Sequence, residues 1–394
     1  MLRDRMLLVA LMLGSATTAL VLVVLIPVLP MLAASFGGGS KGAALSQAVM
    51  TAPALGLITG GFISAVAIKA LGARTLLIIG LALYGLVGSA GLYLSGSPSL
   101  LGSRFLLGVS ASFVGISATA LIAALYAPDA RARLLGFKGA LGSVGGIIGI
   151  LIGGELGSIG GWRLPFAVYL VSWVLLALVL LGPRVQVKAP ERIVTVGTGR
   201  LRVLWPFYVM IVAFGVVLMM TNTQLSFLLA EIGVNAPSAV GRIAVMASVG
   251  ATIGGLSYGF VRARLSSGQC FVLVFAIWTA GLSILGFAHV PQTAVIGCVV
   301  TGAATGLFLP HMVTTLAAAA DDGVRDRAIA MFYSAIFLGD FLNPLVVEPI
   351  SEQLTRHGAF RAVAVFTFIA MIVAALGRFG RAGRQNKDYA NGAL

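Results

Sequence analysis

Long apolar runs recur along the whole chain, at about 6–33, 43–68, 75–95, 99–125, 134–157, 162–182, 203–230, 238–261, 269–289, 292–318, 328–350 and 359–379. Each reaches the roughly 20 residues that a helix needs to cross hydrocarbon. Lipid offers the backbone no hydrogen-bond partners, so a spanning segment must satisfy its own amides, and a helix does so. Only 10% of residues are charged, against about 25% in soluble domains. A water-soluble enzyme is thereby excluded. The expected fold class is an all-α membrane protein with twelve transmembrane helices, its immediate partner being the lipid bilayer.

The formal net charge of +14 would suggest nucleic acid in a soluble chain. Its distribution says otherwise. With the N-terminus placed in the cytoplasm, 20 of the 26 Lys and Arg fall on the inner side; the six that do not are Lys41, Arg104, Arg163, Arg242, Arg356 and Arg361. This positive-inside bias makes the basic excess a topology determinant. It places both termini in the cytoplasm, with no nucleic-acid partner. Arg3 and Arg5 ahead of an apolar run resemble the start of a signal peptide, but the run continues to Ala34 without a charge, beyond the about 7–15 residues of a signal core. It reads as a first membrane helix. Cys270 and Cys298 both sit in apolar spans and provide no metal spacing, and neither a metal nor a cofactor is expected.

The chain also repeats itself. Gly56, Gly60 and Gly61 stand 194 positions before Gly250, Gly254 and Gly255, as Gly108 does before Gly302, Arg131 and Arg133 before Arg325 and Arg327, Gly145 before Gly339, and Phe166 before Phe360. A constant offset that preserves span order implies two parallel six-helix repeats. The expected domains are an N-terminal bundle at 1–182, a cytoplasmic linker at 183–202 rich in Pro, Gly, Lys and Arg, a C-terminal bundle at 203–379 and a cytoplasmic tail at 380–394.

Local motifs accompany the repeat. Ala65–Arg74 reads AVAIKALGAR, span 4 opens SRFLLGVSAS, span 5 carries GIIGILIGGEL, and span 6 opens GWRLPF. Together these resemble the major facilitator superfamily, and in motif pattern its drug–proton antiporter branch. The cytoplasmic loop motif keeps Gly72 and Arg74, with Lys69 at the acidic position. Span 4 keeps Arg104 and Gly108. Span 5 keeps Gly149, Gly153 and Gly154, with Ile150 where the branch has proline. The resemblance implies a monomeric transporter of small molecules working by alternating access, with spans 1, 4, 7 and 10 around a central cavity. The patterns G-L-S-Y-G at 255–259 and GGGSKG at 37–42 lack the context of a nucleophile elbow or a phosphate loop.

Asp340 is the sharpest candidate for chemistry. It lies inside span 11 with Gly146 as its repeat mate. A carboxylate at mid-membrane costs about 2.5–3.5 kcal/mol on insertion scales, so it is paired, protonated or facing water. It is assigned to proton coupling, the alternative being a neutral packing group. Tyr333 and Asn343 share its helical face at spacings of seven and three. Arg104 is the second proton-coupling or gating candidate, by the resemblance; snorkelling to the surface is its alternative. Thr18, Asn222, Gln224, His311, Tyr333 and Asn343 are candidate substrate-cavity residues, each also readable as interhelical glue. Gly145, Gly149, Gly153 and Gly154 form a bare stripe for close helix packing. Glu155, Glu231 and Glu348 fall near outer span ends, where a solvated rim is expected, and Lys138 is expected to snorkel inward.

The expected function is secondary active transport of a small organic solute across the inner membrane, as proton-coupled efflux. A proton-coupled importer and a non-transporting sensor or scaffold are the alternatives. No paired carboxylates, metal cluster or Ser/His/Asp set points to an enzyme.

Overall fold

The computed structural model describes residues 2–183, 204–321 and 324–377. The linker from 184 and the tail at 380–394 lie outside the described residues. The regular structure among them is helical: α1 (Leu2–Val23), α2 (Leu29–Ser35), α3 (Gly39–Leu71), α4 (Ala73–Gly88), α5 (Ser97–Leu125), α6 (Pro128–Gly160), α7 (Val171–Leu181), α8 (Trp205–Glu231), α9 (Pro237–Arg264), α10 (Ser267–Gly286), α11 (Pro291–Ala319) and α12 (Arg325–Ala375). Short 3₁₀ segments at Ile26–Val28, Ser89–Leu92 and Gly161–Leu170 join some of them. Prolines start several helices, at Pro98, Pro128 and Pro291 among others, where the missing N–H is not needed. Helix α10 starts instead with a capping box between Ser266 and Gln269.

Ten helical stretches among the described residues are long and apolar enough to cross a membrane. Two are longer than one crossing requires, Pro128–Leu181 with 54 residues and Arg327–Ala375 with 49. At about 1.5 Å per residue such a stretch far exceeds about 30 Å of hydrocarbon. Each is broken by one residue at positive φ. Gly161 has φ 67° and ψ −168°, and Thr355 has φ 67° and ψ 169°. These two residues are 194 positions apart, so the repeat extends to the backbone break itself. The second copy pays a left-handed threonine where the first has glycine. Thr355 compensates in part: its Oγ1 accepts the Gly358 N–H at 3.3 Å and caps the helical segment that follows.

The described residues form two compact units, one of residues 2–183 with Asn235–Arg242, the other of 204–234 with 243–377. In the first, α3 packs on α5, α4 on α5 and α1 on α6; in the second, α8 and α10 both pack on α12, and α10 on α11. Apolar side chains gain nothing from one another that lipid tails do not offer, so close backbone approach drives association. Glycine permits it. A methyl group added at Gly56 would land on the Phe105 carbonyl oxygen, and one at Gly108 on that of Pro53. Their repeat mates do the same, Gly250 against Val299 and Gly302 against Ala247. The α3–α5 and α9–α11 crossings are one contact built twice.

Gly302→Val should therefore cost at least the about 1–3 kcal/mol typical of overpacking, because the obstacle is backbone and cannot rotate away. Gly259 on α9 has nothing within 4 Å of an added Cβ, so Gly259→Val should be near neutral. Thermal midpoints of the two variants in detergent measure the difference.

Candidate functional site

In the first unit the polar centre is Arg104. Its side chain is 0% exposed, so it does not snorkel. Its Nε donates to the Val49 carbonyl at 3.2 Å, Nη1 to the Tyr169 hydroxyl at 2.8 Å and Nη2 to the Val21 carbonyl at 2.7 Å. The guanidinium also lies over the rings of Tyr169 and Phe166. A buried cation with no carboxylate survives only if dipoles and ring faces replace water, and here they come from α1, α3 and the 3₁₀ segment. Tyr84, edge-on to Tyr169 at 5.7 Å, donates to the Thr17 carbonyl at 2.7 Å and locks the same junction. Arg104 bolts helices together, a role its position in an apolar span does not announce.

The loop-motif residues separate. Lys69 is exposed. Gly72 joins α3 to α4 at φ 80°, a conformation that favours glycine. Arg74 reaches the last carbonyls of α7, donating to Val179 at 2.8 Å and Gly182 at 3.4 Å, where a cation complements the helix dipole. In the glycine stripe, Gly145 rests on Ala16, Gly149 on Leu20 and Gly153 on the Val24 carbonyl, all on or just beyond α1. Gly154 faces Pro237 and Ser238 instead. Glu155 stays at the exposed rim, 3.3 Å from Arg242. Thr18 is half-buried on α1, its Oγ1 beside Gly115 of α5.

The second unit departs from the first along α12. Asp340, Asn343 and Glu348 occupy the repeat positions of Gly146, Gly149 and Gly154. Three glycines of one half are three polar residues in the other. Asp340 is 4% exposed and has no hydrogen bond or ion pair among the described residues. Asn343 is fully engaged, its Nδ2 donating to the Val216 carbonyl at 2.7 Å and its Oδ1 accepting the Thr223 hydroxyl at 2.6 Å. Thr223 goes unnoticed in the sequence because a threonine in an apolar helix carries no distinctive spacing.

One expectation for α12 is corrected, that for Glu348. Tyr333 is 51% exposed, against 4% for Asp340. A seven-residue step drifts by only about 20°, so the two residues share a helical face. Glu348 is not on a solvated rim. It is 2% exposed, and Arg356 closes on both its oxygens, with Nη2 to Oε1 at 2.7 Å. Gln224 is drawn into the same cluster, accepting from Arg356 at 2.7 Å and donating to Glu348 at 3.4 Å. Phe227 faces the guanidinium. The pair spans the Thr355 break, which brings residues eight apart within bonding distance.

The remaining candidates lie apart. His311 is buried on α11 with Nε2 3.0 Å from the Ser267 carbonyl, its ring edge-on to Phe271. Since that carbonyl only accepts, Nε2 carries the proton. Asn222 on α8 donates to the Met219 sulfur at 3.4 Å. Glu231 pairs with His357 at 3.3 Å. No group of three or more His, Cys, Asp or Glu capable of holding a metal occurs among the described residues.

A duplicated helical body with polar groups buried inside each half suits a membrane transporter. The sequence profile of the Major Facilitator Superfamily matches residues 11–267. The chain belongs to that superfamily. As a superfamily member it is an integral membrane protein of a transporter family. It is similar to the multidrug efflux protein YfmO of Bacillus subtilis (strain 168), 26% identical over 375 residues that cover 91% of this chain and 89% of the relative. In fold it is similar to the nucleoside transporter NupG, with 14% identity, coverage of 94% and 98% and a TM-score of 0.76. It is likewise similar to a D-xylose-proton symporter, with 15% identity, coverage of 92% and 95% and a TM-score of 0.70.

Proposed function

We propose that this superfamily member is a twelve-crossing secondary transporter of the inner membrane that expels a small organic solute in exchange for protons. The observation that carries the coupling is Asp340, a buried carboxylate with no partner among the described residues. A charge in that position is expensive unless it is neutralised, so binding a proton is its natural chemistry. The positive breaks at Gly161 and Thr355 divide the two overlong stretches, which supports twelve crossings, and the basic inner loops support cytoplasmic termini. Exchange rather than import follows the similarity to a named efflux protein and the span-5 motif. A monomer with bundles at 1–182 and 203–379 completes the reading.

In this proposal Asp340 takes the proton while Arg104 holds the junction of the first bundle. Asn222 supplies polar surface within the second, where Asn343 and His311 are buried and bonded. The test is the chain reconstituted in liposomes. An imposed pH gradient should move at least one member of a panel of drugs and metabolites against its concentration gradient. Movement down that gradient alone, whatever the pH difference, would refute coupling; import with protons would favour a symporter, and no movement at all a sensor or scaffold.

A further inference from the structure

Lys138 is the one charged side chain of α6 that turns back among the helices. Its amine donates to the Gly115 carbonyl at 3.1 Å and to the Thr119 hydroxyl at 2.7 Å, both on α5. It lies ten residues into α6, about 15 Å along the helix from the turn that joins α5 to α6, level with Gly115 and one turn beyond Thr119.

Its partners are neutral. Thr119 donates its own proton to the Gly115 carbonyl at 2.9 Å, so the hydroxyl oxygen is what receives the lysine. An ammonium carries three donors; two are used, and no carboxylate pairs with it among the described residues. On the other side of Gly115 stands the Thr18 hydroxyl. Thr17 and Thr119 bond back to their own helices, whereas Thr18 has no partner among the described residues. The backbone beside Thr18 is bare: a Cβ at Gly115 would touch only Thr18 Oγ1, at 3.5 Å.

The second half has nothing like it. The repeat mates of Thr18, Gly115, Thr119 and Lys138 are Val212, Leu309, Val313 and Phe332, all apolar. The polar trio of Thr18, Thr119 and Lys138 around Gly115 is a departure from the duplicated plan, and packing alone, which the apolar mates achieve, does not account for it.

We propose that Lys138 and Thr18, with the bare backbone at Gly115, form an anion subsite, and that the solute carries a carboxylate. This rests on the transport reading and adds the class of substrate to it. The free ammonium donor supplies the counter-charge and Thr18 a second donor. Gly115 leaves room for a two-oxygen head.

The full chain in nanodiscs of phosphatidylcholine alone, where no anionic headgroup competes, tests this by thermal shift. The probes are aliphatic and aromatic monocarboxylates, each beside its amide and its amine. At least one carboxylate should stabilise the wild type without its amide or amine doing so. Lys138→Gln should weaken that binding by at least about tenfold, the value of a charge-assisted hydrogen bond, and Lys138→Arg should restore most of it. Gly115→Val, which keeps the lysine, should weaken it as well. A panel in which no carboxylate binds, in which amines bind instead, or in which both variants bind carboxylates as the wild type does, would overturn the subsite. Failure of the transport reading looks different: carboxylates bind, yet no solute crosses a liposome membrane.

Discussion

Asp340→Asn abolishes proton-driven solute movement while leaving a folded protein in the membrane. The substitution keeps the size of a side chain that is 4% exposed and removes its titratable proton. If that proton is the coupled one, transport under an imposed pH gradient falls by about 10²-fold or more, the scale on which proton-transfer groups act. Solute exchange without a gradient persists. A neutral packing carboxylate behaves otherwise, because asparagine then satisfies the same environment at lower desolvation cost. Undiminished gradient-driven movement in liposomes would remove Asp340 from the mechanism. The repeat sharpens the expectation, since Gly146 shows that this helix position tolerates having no side chain at all.

The second large effect is on stability. Glu348 and Arg356 are held together inside the second unit, with side-chain exposures of 2% and 13%. Removing one partner leaves the other charge buried without its counter-ion, at a cost of about 3–5 kcal/mol. Glu348→Ala should therefore lower the unfolding midpoint strongly, and Arg356→Ala similarly. The double variant Glu348→Leu with Arg356→Met should recover most of the loss, since apolar replacement of a whole buried pair is nearly neutral. A double variant as unstable as the sum of the singles would show that each charge acts independently. Scanning fluorimetry of the four proteins in one detergent decides it.

What the sequence made legible follows from the physics of lipid. Span composition, the 194-residue offset and the glycines at 56, 108, 250 and 302 all report constraints that act locally or pairwise, and each leaves a mark on spacing. The bonding of charged side chains leaves no such mark. Arg104 near a span end is equally compatible with snorkelling or with burial under Tyr169 and Phe166; only the arrival of three other segments decides. Glu348 reads as a rim residue because the sequence does not show that the chain breaks at Thr355 and brings Arg356 to it. Lys138, expected to snorkel, bonds to α5 because Gly115 at its own level and Thr119 one turn nearer the inner end offer acceptors.

The glycine crossings of α3 with α5 and of α9 with α11 put main chain directly on main chain, with no side chain between to yield. A joint of that kind has almost no play. Each crossed pair works as a stiff double strut, and whatever bending the body undergoes is displaced to places where helical bonding is already interrupted: the short segments at Ile26–Val28 and Gly161–Leu170, and the corner at Thr355.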